Sequence, residues 1–487
     1  MSSQKPVIMW FREDLRLADN PALAAACETG APVICLFVLE TEGTGQRAMG
    51  GAHNWWLYES LEAFSKSIGE CGGQLVLREG RAKDILLEIC EDQGIEAVFW
   101  NRRYDAQGIE TDKSIKSALK YAGIEATSKN GRLLTEPWTF ETSSGGYYKV
   151  YTPYWKSVRA EYSAPDAHDA PDTLADLGLQ SDQLADWDLL PTNPNWAEAF
   201  SDHWTPGETG AREQLEAWLD DGVDDYDDHR NRPDINNSTS RLSPHLRWGE
   251  ISPVQIWRTV RGRMEDGRYK INEDSAWTYL SEIVWREFSY VLLYHNPDLA
   301  EENYADHFRH MPWRDDEDDY QRWCRGQTGY PIVDAGMRQL WEIGWMHNRV
   351  RMIVGSFLTK HLLLPWQKGE EWFWDTLVDA DPASNAASWQ WVAGSGADAA
   401  PYFRVFNPIT QGSKFDETGE YVRRWCPELK DLPLKHLHSP WEAPDKVLKE
   451  AGVTLGETYP RPMIDHKDGR QRALDAYDTL KERREAS

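Results

Sequence analysis

Gly344-Trp345-Met346-His347-Asn348-Arg349-Val350-Arg351-Met352 and, further on, Asp379-Ala380-Asp381, Asn385 and Trp389-Gln390-Trp391 frame one stretch of the chain. The residues between them, Asn348–Leu363 and Glu370–Val378, carry helical periodicity. Helices that only fill a core prefer Leu, Ile, Val and Ala. Trp, Asn, Arg, Met and paired Asp on helices instead describe a polar-walled pocket with aromatic faces, suited to a large planar ligand. Tryptophan is abundant throughout, 25 in 487 residues, but only here does it combine with pairable polar groups.

Working outward, the helical pattern begins near Gly210. Ala211–Leu219, Ser252–Arg263, Asp274–Tyr294 and Ile332–Glu342 precede the stretch, Ala473–Glu485 follows it, and no hairpin signal interrupts them. The first part of the chain reads differently. Val7–Phe11, Val33–Val38, Leu75–Leu77 and Ala97–Trp100 are β-rich runs, with helical periodicity in Trp55–Phe64 and Ala82–Cys90 between them. Such alternation indicates a parallel, Rossmann-like sheet with crossover helices. Asp166–Pro206 is rich in Asp, Pro, Ala and Ser and reads as a connector. The expected layout is an α/β domain over 1–135, a linker over 136–209, and a large all-helical domain over 210–487.

The length permits a large core and favours more than one domain. The chain opens Met1-Ser2-Ser3-Gln4-Lys5 without an apolar leader, and no apolar run reaches membrane-spanning length. Six scattered cysteines lack metal or disulfide spacing, so a cytoplasmic protein without a structural metal is expected. A net charge of −27 argues against a generic nucleic-acid binder but speaks to steering and solubility, not to one groove. The acid is concentrated in Asp220–Asp228 and Asp315–Asp319.

Three groups carry chemistry. Thr239-Ser240-Arg241-Leu242-Ser243-Pro244 offers hydroxyls ahead of a Pro at a helix start; this is a phosphate site or an ordinary N-cap. Glu282, Trp285 and Arg286 share a helical segment, as a site or as a surface ion pair beside a core residue. Arg351 and Asp379 are candidates for a buried ion pair, and Asp379 and Asp381 need donors if both are buried. No Gly-rich dinucleotide fingerprint follows the first strand; Phe11-Arg12-Glu13-Asp14-Leu15-Arg16 stands there.

Taken together, Trp10–Arg16, Thr239–Pro244, Trp285–Phe288, Thr328–Ala335, Gly344–Met352, Asp379–Trp391 and Phe403–Pro408 resemble the signature blocks of the DNA photolyase/cryptochrome family. The resemblance spans nearly the whole chain apart from the linker. It implies FAD, active in its reduced form, inside the helical domain. Tyr226, Thr239, Ser240, Arg241, Leu242 and Ser243 would hold its pyrophosphate and ribitol. Glu282, Arg286, Asn348, Arg351, Asp379 and Asp381 would line the rest. Asn385 would sit against flavin N5, where a neutral amide can donate to a reduced flavin.

Within the family, Asn348, Met352, Asn385 and Trp391 together form the set of the cyclobutane pyrimidine dimer photolyases. Plant-type cryptochromes carry Asp at the first and third positions, and (6-4) relatives carry His at the first two. The implied chemistry is light-driven repair. A dimer flipped from the duplex would be wedged between Trp285 and Trp391, packed by Met352 and hydrogen-bonded by Glu282 and Asn348. Trp389, Trp366 and Trp313 would relay electrons to oxidised flavin. Arg232, Arg349 and Arg404 would form a local basic rim for DNA containing pyrimidine dimers, bound by a monomer. The first domain would hold a light-harvesting antenna, methenyltetrahydrofolate in preference to a deazaflavin, with Asn101–Asp105 and Trp55-Trp56 as wall residues. Leu133–Trp138 resembles plant-type and class III members. Trp55 and Trp56 read equally as core of the first crossover helix. A blue-light receptor using the same flavin, and an electron-transfer flavoprotein without DNA binding, are the alternatives. Trp285, Met352 and Trp391 together disfavour the second.

Overall fold

Strands covered on both faces read as unbroken apolar runs, and the runs of the first half fold accordingly. In the computed structural model, which describes residues 5–40 and 47–485, they form β1 (Val7–Phe11), β2 (Val33–Leu39), β3 (Leu75–Glu79) and β4 (Ala97–Asn101). Met1–Gln4 lie outside the described residues. A fifth strand, β5 (Glu125–Lys129), was not expected: its sequence EATSK has no apolar run, because it lies at the sheet edge and is half exposed. The sheet is wholly parallel in the order β3-β2-β1-β4-β5, with Ile8 paired to both Ile34 and Val98. Helices α1 (Pro21–Glu28), α2 (Gly51–Glu70), α3 (Ala82–Gln93) and α4 (Ala106–Tyr121) make the crossovers.

Alternating side chains feed two cores. Ile8, Trp10, Ile34, Leu36 and Val98 pack under α3 and α4. Val7, Met9, Phe11 and Phe37 share a core with Trp55, Trp56, Trp204, Trp248, Trp345 and Val378, so this face joins the sheet to the helical half. Trp55 and Trp56 are therefore core, not antenna walls; Trp56 is fully buried and its indole N–H donates to Glu250.

The connecting region is not featureless. It carries α5 (Tyr151–Glu161), and its Asp/Pro-rich part is strapped to the sheet side by Asp19 N–H to His168 O (2.7 Å), Leu174 N–H to Cys71 O (2.7 Å) and Asp182 N–H to Leu77 O (2.8 Å). Beyond it the chain is helical: α6 (Glu208–Asp221), α7 (Tyr226–His229), α8 (Ser243–Trp248), α9 (Pro253–Glu265), α10 (Glu273–His295), α11 (Glu317–Cys324) and α12 (Pro331–Ile343). Then come α13 (Asn348–Ser356), α14 (Trp366–Thr376), α15 (Pro382–Ala393), shorter helices, and a last helix over His466–Glu485. The fold class is thus the expected one, an α/β half followed by a helical half.

The helix expected over Asn348–Leu363 is shorter. It ends at Ser356, winds through a π-turn at Phe357–His361, and is stopped by Leu363 at φ +55° and by Pro365. Gly344 ends α12 with φ +64°, a conformation most side chains avoid, and a Cβ there would press on Phe200. No described helix is long and apolar enough to cross a membrane.

Candidate functional site

Helices α10, α13 and α15 bring the framed stretch and the Glu282 segment together, because α15 packs against both of the others. α15 can start where it does because Asp381 caps it, accepting from the N–H groups of Ala383 (3.0 Å) and Ser384 (2.8 Å). Tyr290 OH donates to the same carboxylate at 2.6 Å. Burial alone would raise the Asp381 carboxyl; Arg286, Arg247 and Arg132 prevail and hold it below its ordinary value. The Asp381 carboxylate thus holds the helix start, a role not foreseen from the sequence. Arg286 keeps one donor open. It donates to Arg132 O (2.9 Å) and Glu287 (3.3 Å) and lies over Tyr290, leaving Nη2 buried without a protein partner.

Asp379 behaves as expected: Arg351 reaches it with Nη2 at 2.8 and 3.1 Å, and Arg351 Nε donates to Met346 O at 2.7 Å. Asn385 is placed differently. Its Nδ2 donates to the Glu370 backbone carbonyl (3.0 Å) and carboxylate (2.8 Å). Glu370 is locked in turn by Arg47, with two bonds of 2.8 Å. The amide orientation follows from these two acceptors, so the atom left for a ligand is Oδ1, an acceptor and not the donor foreseen. Arg47 and Glu370 carry no local signal, since 323 residues separate them.

The segment before α8 contains an uncompensated cation. Arg241, at φ +54°, stacks over Trp204 (4.3 Å) and Trp345 (5.3 Å). Its Nε and Nη2 are buried without protein acceptors. Burial, then Arg424, lower its pKa to about 10. Around it, Ser240 accepts from Tyr279 OH (3.2 Å), Ser243 accepts from the Trp345 indole (3.2 Å), and Thr239 is half-buried. Tyr226 and Leu242 are core residues beside them. A cation with unmet donors among hydroxyls suits a pyrophosphate, and the open Asn385 carbonyl suits a ring N–H. The buried residues thus fit FAD.

Toward solvent, Glu282, Trp285, Asn348, Met352 and Trp391 are half-buried or exposed. Burial raises the Glu282 carboxyl, opposed by Arg230, which donates to it at 2.7 Å. Trp285 stacks on Tyr151, centroids 3.6 Å apart and planes 11° apart. Sequence inspection missed Arg230 and Tyr151 because their partners lie on other elements. Arg349 is held by Asn231 (2.6 and 3.1 Å) over the Phe415 ring; burial, then Arg230 and Arg404, lower its pKa. Arg404 and Phe403 are exposed on the loop after α15, Phe403 at 59 %. Arg232 is less available than expected, being paired with Asp234 (2.6 Å) and Glu417 (3.0 Å).

The three tryptophans expected to relay electrons belong to one core. Trp366, fully buried, donates to Asn303 at 2.9 Å; Trp389 is 4 % exposed with its indole N–H unpartnered; Trp313 is half-buried against the same cluster. α14 lies so close to Trp389 that a Cβ on Gly369 would fall 2.2 Å from its ring.

The crevice at the carboxyl ends of β1 and β4, where the strand order reverses, is where doubly wound sheets usually bind ligands. Here it is lined by internal pairs. Arg12 pairs with Asp112 (2.8 Å) and donates to Asn101 O, and Asn101 donates to Asp14 (2.6 Å) and Asn20 (2.7 Å). Arg132 and Arg247 both pair with Glu13. Arg102 pairs with Glu136 and Arg103 with Glu40, while Arg103 Nε and Asn101 Oδ1 are buried without hydrogen-bond partners among the described residues.

Two family profiles match the chain: one described as DNA photolyase over residues 7–172, the other as the FAD binding domain of DNA photolyase over residues 279–479. A deoxyribodipyrimidine photo-lyase from Agrobacterium fabrum is 52% identical over 98% of both chains. Cryptochrome-2 of Arabidopsis thaliana is 37% identical over 97% of this chain and 78% of its own length. The crystal structure of a bacterial class III photolyase from Agrobacterium tumefaciens superposes with a TM-score of 0.94, at 52% identity and 98% coverage of each chain.

Proposed function

From the premise that this chain belongs to the DNA photolyase family, we propose that it is a deoxyribodipyrimidine photo-lyase. It binds FAD and repairs cyclobutane pyrimidine dimers in DNA under light. The observation that carries the cofactor side is the buried Arg241 with unmet donors; the lesion side is supported by the half-buried Trp285, Met352 and Trp391 at the mouth.

Reduced FAD, when bound and excited by light, would supply an electron to the dimer and take it back once the ring has opened, with no net redox change. The protein holds and orients. Arg241 with Thr239, Ser240 and Ser243 would neutralise the pyrophosphate, and the Arg351–Asp379 pair and Asn385 Oδ1 would meet the ring edge. Asp381 fixes the start of α15, and Arg286 beside it would offer its open Nη2. A dimer stacks and pairs poorly, so extruding it costs less than extruding a normal pair. Trp285 and Trp391 would flank it, Met352 would pack against it, and Glu282 and Asn348 would bond its base edges. Arg349 and Arg404, with Arg230 beside them, would meet the phosphates, and Arg232 would join by releasing its carboxylates. Trp389, Trp366 and Trp313 would supply electrons to oxidised flavin.

The domain limits 1–135 and 210–487, for antenna and for FAD with DNA, belong to this proposal, as does a monomer working in the cytoplasm on nucleoid DNA. We favour a class III enzyme carrying methenyltetrahydrofolate. The solved relative's class and the Leu133–Trp138 resemblance support this. The fluorescence of the chromophore released on denaturation separates folate from deazaflavin. The decisive experiment is illumination of the reduced protein with a dimer-containing oligonucleotide: intact pyrimidines should be restored, and their absence would sink the assignment.

A further inference from the structure

Trp285 is half-buried, and one face of its indole is already taken. Tyr151, the first residue of α5, lies parallel to it at 3.6 Å and 11°, the shortest ring separation among the described residues. Tyr151 is itself 7% exposed and is fixed at both ends. Its hydroxyl donates to Ser281 O at 2.5 Å, one turn before Trp285 on α10. Its backbone N–H donates to Asp398 Oδ2 at 3.1 Å. Asp398, at φ +49°, sits in the loop that follows α15 and leads to Phe403 and Arg404. Phe288 closes the edge, 5.8 Å from Trp285 and 5.9 Å from Tyr151. One residue therefore ties three elements, by its side chain α5 and the helix bearing Trp285, and by its backbone N–H the loop after the helix bearing Trp391.

We propose that Tyr151 is a positioning residue for lesion recognition: it occupies one face of Trp285, leaves a single indole face for the flipped dimer, and sets the separation of the two tryptophan walls. This rests on the role given to Trp285 above. A ring stacked on one face cannot receive a base on that face, so the dimer has one approach. An indole clamped from behind also loses less side-chain freedom on binding. Tyr151 acts through Trp285 and touches neither flavin nor dimer.

The test uses the full-length holoenzyme and measures, for each variant, affinity for a dimer-containing oligonucleotide, affinity for the undamaged one, and repair per absorbed photon at saturating substrate. Trp285→Ala comes first; unchanged dimer affinity there removes the lesion role of Trp285 and with it the premise. Given a loss in Trp285→Ala, Tyr151→Leu should weaken dimer binding about tenfold, the scale of a lost aromatic pair. Undamaged-DNA affinity and photon yield at saturation should stay near native. Tyr151→Phe keeps the ring and should recover most of the affinity, to within about threefold of native for the loss of one neutral hydrogen bond. The proposal is overturned if Tyr151→Leu leaves dimer affinity intact, weakens both oligonucleotides equally, or matches Tyr151→Phe. Should the leucine variant not fold, Tyr151→His, with a smaller ring, makes the same comparison with an expected loss of about threefold to fivefold.

Discussion

Arginines gather in two places in this molecule, on opposite plans. At the carboxyl ends of β1 and β4, where such sheets bind ligands, Arg12, Arg132 and Arg247 each face a carboxylate. In the helical half, Arg241 faces two indole rings and, among the described residues, is in no ion pair, while Arg349 lies within electrostatic reach of Arg404 and of Arg230, the last of which is paired with Glu282. Like charges brought together in a chain of net charge −27 are unfavourable unless an anion joins them. Paired arginines hold the fold; unpaired ones mark where a ligand belongs.

Breaking the first plan should have the largest effect. Arg12→Met leaves Asp112 buried and unpaired and should lower unfolding free energy by about 3–5 kcal/mol, read by chemical denaturation, while the folded fraction keeps its FAD. Breaking the second should do the reverse. Arg241→Met should leave stability without cofactor nearly unchanged and weaken FAD retention by about 1.5–3 kcal/mol, roughly 10- to 150-fold, read from flavin absorbance after dialysis. At the mouth, Trp391→Ala should weaken dimer-oligonucleotide binding by about 1–3 kcal/mol, the worth of a base–aromatic stack, without changing FAD content.

Acid tests both regions at once. His53, bonded to Ala380 O, and His347, the cap of α13, are buried; burial, then neighbouring arginines, lower each from 6.5 to about 3. A depressed histidine contributes stability that is complete above pH 6.5 and is lost as pH falls toward 3. In that window each should steepen the loss by about 1.4 kcal/mol per pH unit. His347→Gln should remove about one proton from the acid-unfolding slope, and an unchanged slope would contradict the buried neutral ring. The smallest effect concerns salt. With Arg349 and Arg404 free and Arg232 paired, the log–log salt slope for dimer DNA should be about 2–3; a slope near 8 would mean a larger basic surface.

Much of this was legible before any coordinates, and the exceptions have physical causes. β1, β2 and β4 announce themselves because strands buried on both faces are apolar throughout, whereas β5 is a polar edge. The Arg351–Asp379 pair could be foreseen because both residues sit in an unusual polar run. The roles of Asp381 and Asn385 could not be foreseen in detail. Each side chain had several possible partners, and the choice was made by Tyr290 and Glu370, 91 and 15 residues away. Tyr151 gave no signal because stacking on Trp285 is a property of two helices meeting. The break after Ser356 was hidden because Phe357–Leu362 has the composition of a helix that simply continues.

Gly369, pressed on the ring of Trp389, carries a consequence for inheritance. Every glycine codon begins with two guanines, and any change in either gives a residue with a Cβ or a stop. At position 369 that Cβ would fall 2.2 Å from the indole. Mutation there can drift silently in the third base alone, so this site should vary in DNA across strains while staying fixed in protein.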